Sequence, residues 1–441
     1  MAVADSHALP GEVAQKMEGH GLFACTDCGA CAEACPLTGA PGLDKVNALA
    51  IIRLLLAGDL DAARAAQFPW SCTGCGLCAR ACPVGVDLPG IFLRLRGLAD
   101  RSQVPPLLAQ GVERIVRSGN TLDILLEDYL QVLADLGAEL ARECCPGFYV
   151  PVDRQGADLV IFPNSKEIFA DFDDLKWWWK IFYAADENWT VPSHNWDSVD
   201  WALFVGDFKT SRLLARRKLD IQRTLGAKYL ILPDCGASSL ACRKTLDRDE
   251  AQGRAGVPEA GLHVLSFYDY LISRIKDGRL QFDPAVHAGK TFVWHDPCEH
   301  GRELERYCQR NCYDEPRWIL DQVVEKRVEF SPNRAENYCC GAGGGNWPTP
   351  HEGISAYHGR RKVEQIRHSG ADVVVVGCPN CRDQIRHRLP RHYPGSAWEV
   401  KYLWQVVAEA LVIPLKPASE ITRLEADARA QWERLGVMYD G

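Results

Sequence analysis

Two runs of cysteines near the start of the chain share one spacing. Each follows the pattern C-x2-C-x2-C-x3-C-P, first from Cys25 to Pro36 and again from Cys72 to Pro83. Three thiolates in so tight a loop hold three irons of a cubane cluster, while the fourth cysteine points away and ligates a second cluster. Gly29 and Gly76 relieve the backbone inside the runs. The repetition therefore predicts two inorganic clusters that exchange their fourth ligands.

This exchange gives each cluster four ligands. One [4Fe–4S] cluster is predicted on Cys25, Cys28, Cys31 and Cys82, and the other on Cys72, Cys75, Cys78 and Cys35. The runs are those of bacterial ferredoxins. Structural zinc is an alternative, although zinc usually takes two separated C-x2-C pairs. A reactive disulfide explains neither the repetition nor the two prolines.

A second constellation of cysteines lies in the C-terminal half. Its members are Cys298, Cys339, Cys340, Cys378 and Cys381, with 40 residues between the first two and 37 between the third and the fourth. All five are expected at strand-to-loop or strand-to-helix edges, where an α/β sheet builds its site. Glycines at 343–345, which follow Cys339 and Cys340, are expected to let the backbone approach a bulky inorganic centre closely.

The elements that would position these cysteines change along the chain. An apolar stripe within Leu43–Gln67 predicts a helix packed on the first clusters. Helices are then predicted at Ile91–Asp100, Pro105–Ser118 and Leu122–Glu143. Short apolar runs predict strands at Leu159–Pro163, Trp201–Val205, Lys228–Pro233, Thr291–His295 and Asp372–Gly377. The all-valine core of the last run suits a strand buried on both faces of a parallel sheet.

Composition narrows the classes of function. The chain has 441 residues, 19 cysteines, three methionines and a net charge of −8. A mildly acidic chain argues against nucleic acid as the main partner. No apolar run is long enough to cross a bilayer, and the N-terminus shows no secretory signal. We therefore expect a soluble, cytoplasmic protein whose cysteines ligate metal or do redox chemistry rather than form disulfides.

Together, the two constellations resemble a known family. The pattern C-x(31–40)-C-C-G-x(33–38)-C-P-x-C resembles the cysteine-rich CCG domain of heterodisulfide reductases. With the upstream double motif, the chain is similar to the D subunit of the membrane-bound heterodisulfide reductase. It also resembles the K subunit of the sulfite-reduction complex and cytoplasmic subunits of cytochrome c3-linked membrane complexes in sulfate reducers. The resemblance implies a noncubane [4Fe–4S] cluster, with catalysis at Cys298, Cys339, Cys340, Cys378 and Cys381.

The resemblance also implies the domain organisation. The fold class is α+β overall, with a helical bis-[4Fe–4S] ferredoxin-like domain at residues 1–100 and a helical connector at 101–150. Two tandem α/β CCG repeats would follow, a degenerate one at 151–285 and a complete one at 286–441 that includes a C-terminal helix. In the degenerate copy Asn164, Gly206–Phe208 and Asp234–Ala237 stand near the motif positions, and Cys235 is the cysteine that survives. Whether Cys235 or His295 contributes to the complete site stays open.

The function implied by the resemblance is that of a cytoplasmic iron–sulfur subunit. It would lie on the inner face of the cell membrane through partner subunits, among them an integral-membrane cytochrome b-type protein. Electrons would pass through two cubanes to the noncubane cluster, which reduces or oxidises a disulfide or trisulfide of a thiol substrate or a small sulfur-carrier protein, as in anaerobic respiration and sulfate reduction. No flavin or NAD site is predicted. A pure electron-transfer subunit and the iron–sulfur subunit of a glycolate or glycerol-3-phosphate dehydrogenase are the alternatives.

The remaining unusual residues have plainer interpretations. Cys144, Cys145, Cys242, Cys308 and Cys312 are expected to be free thiols, the last two on one helix. The tryptophans at 177–179, 189 and 196 predict a core or a subunit interface, with the interface preferred. Basic residues around the last cysteine motif are expected on solvated helix faces or at a basic mouth for an anionic partner.

Overall fold

The fold is a mixture of helices and two small parallel sheets. A computed structural model describes residues 9–43, 45–232, 238–243, 245, 263–396 and 398–441. Cys235 therefore lies outside the described residues. Among the helices of the described part, none has both the length and the apolar character needed to cross a membrane.

The N-terminal part is built of short helices around its own apolar core. These are α1 (Gly11–Glu18), α2 (Ala30–Ala34), α3 (Ala48–Leu56), α4 (Leu60–Ala65), α5 (Phe68–Ser71), α6 (Leu77–Ala81) and α7 (Leu88–Gly97). Asn47 caps α3 by accepting from the Ala50 amide at 3.0 Å, and Asp87 caps α7 through the Gly90 amide at 2.9 Å. The apolar face of α3 is buried in this core, as the stripe predicts.

Two longer helices lead from this part to the sheets. They are α8 (Pro106–Ser118) and α9 (Leu126–Glu143). Both begin within four residues of the predicted start and end where the sequence predicts. Gly119, after α8, has a φ of +85° that suits glycine and ends the helix.

The first sheet has four parallel strands in the order β2-β1-β3-β4. Its strands are β1 (Leu159–Ile161), β2 (Trp189–Thr190), β3 (Tyr229–Ile231) and β4 (His263–Val264). Its helices are α10 (Ser165–Phe169), α11 (Asp173–Ala184), α12 (Trp201–Phe204), α13 (Phe208–Leu225) and α14 (Phe267–Lys276).

The second sheet has the corresponding order β6-β5-β7-β8, again parallel. Its strands are β5 (Phe292–Trp294), β6 (Arg327–Val328), β7 (Val373–Val376) and β8 (Glu399–Tyr402). Its α-helices are α15 (Leu304–Cys308), α16 (Asp314–Val323), α17 (Glu352–His358), α18 (Arg360–Ser369), α19 (Pro379–Asp383), α20 (Leu389–His392), α21 (Leu403–Glu409) and α22 (Ala418–Leu435). All four valines of β7 are fully buried, as a central parallel strand requires.

Four of the five predicted strands are present, and one prediction is wrong. Trp201–Phe204 is a short helix, because the Asp200 carboxylate accepts from the Leu203 amide at 3.1 Å and caps the turn. Cys312 is not on a helix with Cys308, since α15 ends at Cys308 and Gln309 turns left-handed. The edge strands β2, β4, β6 and β8, two to four residues long, were not predicted.

The tryptophan cluster belongs to the core, so the preferred interface interpretation is wrong. Trp178, Trp179, Trp189 and Trp196 are at most 4% exposed. Trp178 stacks on Trp404 of α21 with ring centroids 5.2 Å apart, which joins the two sheet regions in one apolar core.

Candidate iron–sulfur sites

The first predicted ligand set surrounds one cavity. Cys25, Cys28, Cys31 and Cys82 line it together with apolar side chains, including Leu49 and Ile52 of α3. Cys25 and Cys28 precede α2, Cys31 lies in α2, and Cys82 follows α6. Four soft ligands around one small apolar space fit a [4Fe–4S] cubane.

The second predicted set surrounds a neighbouring cavity. Cys35, Cys72, Cys75 and Cys78 line it with Phe68, Phe92 and other residues of the same core. Burial raises the pKa of Cys72 to about 11 and that of Cys78 well above its usual range. These thiols therefore need a bound cation to ionise together, which is the role that iron fills in a cubane.

The five C-terminal cysteines meet at the carboxyl edge of the second sheet. Cys298 follows β5 and begins a π-helical turn (Glu299–Glu303), and Cys378 is the N-cap of α19, which contains Cys381. Cys339 and Cys340 lie in the loop between β6 and α17. The sequence predicts this placement because parallel strands end at one edge.

The five thiols form one continuous group. Cys340 and Cys381 are 3.2 Å apart between sulfur atoms. Hydrogen bonds join Cys298 to Cys339, Cys339 to Cys340, and Cys381 to Cys378. The bond to Cys339 and burial raise the pKa of Cys298 well above its usual range. Cys378 is partly exposed, and the other four are at most 9% exposed.

This donor set fits a group with more than one metal ion. Two subsets come together closely enough for a single ion: His295 with Cys340 and Cys381, and His358 with Cys75 and Cys339, each with ligand atoms within 4.8 Å of one another. One tetrahedral zinc takes four ligands and would leave thiols of this continuous group unused. A multi-iron cluster has enough metal ions to take up five thiolates.

His295 is held beside the sulfurs by a buried polar chain. Lys362 donates from Nζ to Asn337 Oδ1 at 2.6 Å, so the Asn337 Nδ2 group faces His295 Nδ1 at 3.2 Å. His295 therefore accepts at Nδ1 and carries its proton on Nε2, the other ring nitrogen. Burial lowers the pKa of His295 well below its usual value and that of Lys362 to about 7.

The second cubane site touches the five-cysteine site. Thr73 Oγ1, in the loop between Cys72 and Cys75, lies 3.7 Å from Cys339 Sγ and 3.5 Å from His358 Nε2. Burial alone would lower the pKa of His358, but the Cys339 and Cys75 thiolates outweigh burial and raise it to about 9. Thr73, the Cys339 sulfur and the His358 imidazole therefore connect the second cubane site with the five-cysteine site.

Two buried arginines hold the loop of the second cubane site in place. Arg96 donates to the carbonyl oxygens of Cys72 at 2.6 Å and Gly344 at 2.7 Å, and it also bonds those of Pro69 and Phe204. Arg302 donates from Nε to the Cys75 carbonyl oxygen at 2.6 Å. Neither arginine was predicted, since both bind backbone carbonyl oxygens of distant segments and their sequence neighbours give no sign of this.

The role expected for the glycine run needs correction. A Cβ on Gly343 would lie 2.8 Å from the Thr73 carbonyl oxygen, and one on Gly344 would lie 2.8 Å from that of Cys72. The glycines therefore admit the backbone of the second cubane site's loop, not an inorganic centre directly. A Cβ on Gly345 would lie 2.9 Å from the Phe204 side chain, so this glycine allows close packing there.

Several of the basic residues near the last motif are buried and paired. Arg382 bonds the carboxylates of Asp171, Asp174 and Asp383 across to α11 and the loop before it. Lys362 and Arg388 are also at most 5% exposed. A basic mouth built from these three residues is therefore excluded.

Four cysteines outside the two constellations, Cys144, Cys145, Cys242 and Cys312, form no disulfide within the described residues. Cys242 and Cys312 are buried, and Cys144 and Cys145 lie 3.6 Å apart between sulfurs at the end of α9. Hydrogen bonding to Cys145 lowers the pKa of Cys144 to about 7.

Two family models match the segments of the chain that contain these cysteines. Residues 292–386 match the CCG family, described as a cysteine-rich domain, and residues 21–86 match a 4Fe–4S dicluster domain. The chain is 25% identical over 202 residues to the D subunit of the dihydromethanophenazine:CoB–CoM heterodisulfide reductase of Methanosarcina barkeri, covering 46% of this chain and 45% of that protein. The chain is a CCG iron–sulfur protein related to the D subunits of heterodisulfide reductases.

Other relatives extend the similarity to membrane-linked redox proteins. The chain is 30% identical over 248 residues to a Chromohalobacter salexigens protein named "Probable membrane-anchored ferredoxin", covering 55% of this chain and 34% of that one. It is 21% identical over 373 residues to the second iron–sulfur subunit of the Hdr-like menaquinol oxidoreductase of Archaeoglobus fulgidus, covering 75% and 64%. The chain spans less than half the length of the first two relatives.

Proposed function

We propose that the chain is the cytoplasmic iron–sulfur subunit of a membrane-associated redox complex, and that it reduces or oxidises a disulfide or trisulfide at its five-cysteine site. Cys25, Cys28, Cys31 and Cys82 would hold one cubane, and Cys35, Cys72, Cys75 and Cys78 the other. Cys298, Cys339, Cys340, Cys378 and Cys381 would hold a noncubane [4Fe–4S] cluster.

One observation carries the proposal: the ligand atoms of Cys75 and Cys339 lie within 4.8 Å of each other. Cys75 would ligate the second cubane and Cys339 the noncubane cluster, so the two clusters would be near neighbours. Cys35 and Cys82 cross between the two cubane cavities. The three sites thus form a relay in the order first cubane, second cubane, five-cysteine site.

The reaction that fits this relay is two-electron cleavage of a sulfur–sulfur bond. An RS–SR′ substrate takes up two electrons and two protons and leaves as RSH and R′SH. When bound, the cluster would supply single electrons and a place for a substrate sulfur. Cys378 is the partly exposed thiol of that site, and a ring nitrogen of His295 lies within 4.8 Å of the Cys340 and Cys381 sulfurs.

The organisation of the chain supports two tandem CCG-type repeats, at 151–285 and 286–441, after a cluster domain at 1–100 and a connector at 101–150. Both sheets have the same parallel order, and Asn164 follows β1 as Cys298 follows β5. The first repeat would hold no cluster of its own.

The partners follow from the names of the relatives. A heterodisulfide reductase and a menaquinol oxidoreductase are among them. We propose that electrons come from, or go to, a membrane cytochrome b-type subunit on the inner face of the cell membrane. The sulfur substrate would be a small thiol compound or a sulfur-carrier protein.

The test is an anaerobic preparation of the wild-type chain and of C340S, with C312S as the matched control because Cys312 is a buried thiol outside the predicted ligand sets. We expect about twelve irons per chain, from three clusters of four. C340S should lose a thiol-sensitive electron paramagnetic resonance (EPR) signal and disulfide turnover in the complex, while the cubane signals remain in both variants. Iron near eight atoms per chain with no third signal would contradict the proposal. A third signal without disulfide turnover would favour pure electron transfer, which the burial of four of the five thiols also suits.

A further inference from the structure

Arg302 lies between the two cluster sites that the relay brings closest. It belongs to the π-helical turn that follows Cys298 and is 5% exposed. Besides its bond to the Cys75 carbonyl, it donates from Nη1 to the carbonyl oxygens of Ala335 at 3.0 Å and Asn337 at 2.8 Å. Its guanidinium therefore ties the second cubane loop to the segment that leads into Cys339.

The charge of Arg302 has no carboxylate partner within 4.0 Å among the described residues. Its Nη2 group is buried and has no hydrogen-bond partner in the same part of the chain. The groups whose anionic forms act on it are Cys75, Cys298, Cys339 and Tyr313. Burial raises the pKa of Tyr313 above its usual range, so this phenol stays neutral at neutral pH. Since an uncompensated buried charge is strongly unfavourable, the matching negative charge must come from the two cluster sites.

We infer that Arg302 is a positioning residue that serves as the shared counter-charge of the second cubane and of the five-cysteine cluster. This inference rests on the ligand sets of the proposed function. Reduction adds one negative charge to a cluster, and a fixed guanidinium nearby stabilises the reduced form. Because arginine keeps its proton at all ordinary pH values, the effect does not depend on pH.

Arg96 provides the matched control. It is also buried and holds the same loop through the Cys72 carbonyl, so its loss also perturbs the loop. The thiolate that acts on it is Cys72, a predicted ligand of the second cubane alone. The two arginines therefore share a structural role and differ in the clusters that they face.

The experiment is a redox titration of the purified holoprotein followed by EPR, for the wild type, R302Q, R302K and R96Q. In R302Q the equilibrium constant for one-electron reduction should fall at least tenfold, or 59 mV, for both the second cubane and the five-cysteine cluster. The first cubane should not change. R302K retains the charge and should stay within threefold of the wild type, and R96Q should shift only the second cubane.

Three results would overturn the inference: unchanged constants in R302Q, a shift confined to the second cubane, or equal shifts at all three clusters. If R302Q does not accumulate, R302K still tests the inference. This variant keeps the positive charge, so a tenfold change in its reduction constants would contradict a role of Arg302 through charge. Absence of a third cluster from the wild type would refute the proposed function instead.

Discussion

Replacing Gly344 by alanine tests whether the contact between the glycine run and the second cubane loop stabilises the structure. Gly344 has a φ of +60°, and its added Cβ would lie 2.8 Å from the Cys72 carbonyl oxygen and from the Thr73 carbonyl carbon. Both are backbone atoms, so no side-chain rotation relieves the overlap. The loop that carries Cys72 and Cys75 must move away.

The size of the effect follows from two contributions. A left-handed backbone costs alanine about 1–2 kcal/mol. Movement of the loop also weakens the bond from Arg96 to the Gly344 carbonyl and the 3.0 Å bond from Asn346 Nδ2 to the Cys72 carbonyl, together worth about 2 kcal/mol. We expect G344A to lower the free energy of unfolding by about 3–4 kcal/mol, of which about 2 kcal/mol is the lost contact with the loop of residues 72–76.

Gly370 is the control because its φ is +63° and an added Cβ meets no atom within 4 Å. G370A should therefore show only the backbone cost. Hydrogen exchange of the holoprotein measures the local opening of residues 72–76. Exchange there should be about 30-fold faster in G344A, from the contact contribution of about 2 kcal/mol, and unchanged in G370A. Wild-type exchange of this loop in G344A would refute the docking argument.

Three further predictions concern other parts of the chain. Burial raises the pKa of Asp174 to about 6 despite its bond to Arg382. The folded state therefore binds more protons than the unfolded chain between pH 4 and 6, and the protein loses about 3 kcal/mol of stability as pH rises through this range. D174N should flatten this dependence of stability on pH, measured by guanidinium unfolding. R382M removes the cation that pairs with the buried Asp174 carboxylate, while Lys166 still pairs with Asp171 and Asp383. The unfolding free energy should fall by about 3–5 kcal/mol at pH 7, and a change below about 1 kcal/mol would contradict the burial of this network. Cys144 should react with iodoacetamide at pH 7 faster than the buried Cys312, and the C145A substitution should slow the reaction of Cys144. If Cys144 reacted at the same rate in C145A as in the wild type, Cys145 would not be what lowers its pKa.

The cysteine spacing predicted which cysteines lie together better than the apolar pattern predicted the strands. Cys25 and Cys82 line one cavity, and a local motif and its repetition are enough to predict that they meet. The run at Trp201–Val205 is as apolar as a strand, but the cap from Asp200 makes it a helix. Edge strands such as Trp189–Thr190 are two residues long and leave too short a pattern to detect.

The parts of the site that could not be predicted are the contacts between distant segments. Arg96 and Gly344 are 248 positions apart and meet through one hydrogen bond. His358 is the last residue of α17, and its Nε2 lies 3.5 Å from the Oγ1 atom of Thr73, which is 285 positions away. No local pattern marks either residue, because their partners are backbone carbonyls and thiols brought together by the tertiary fold.

The four carbonyls held by Arg96 limit how this protein can be recombined. Pro69 and Cys72 belong to the same segment as the arginine, while Phe204 and Gly344 come from the two sheet regions. A chimera with a foreign ferredoxin in place of residues 1–100 would leave these last two carbonyls without their donor, at a cost of about 1–3 kcal/mol each where they stay buried. Residues 1–100 therefore cannot be exchanged independently of the rest of the chain, and a replacement domain must provide an equivalent arginine.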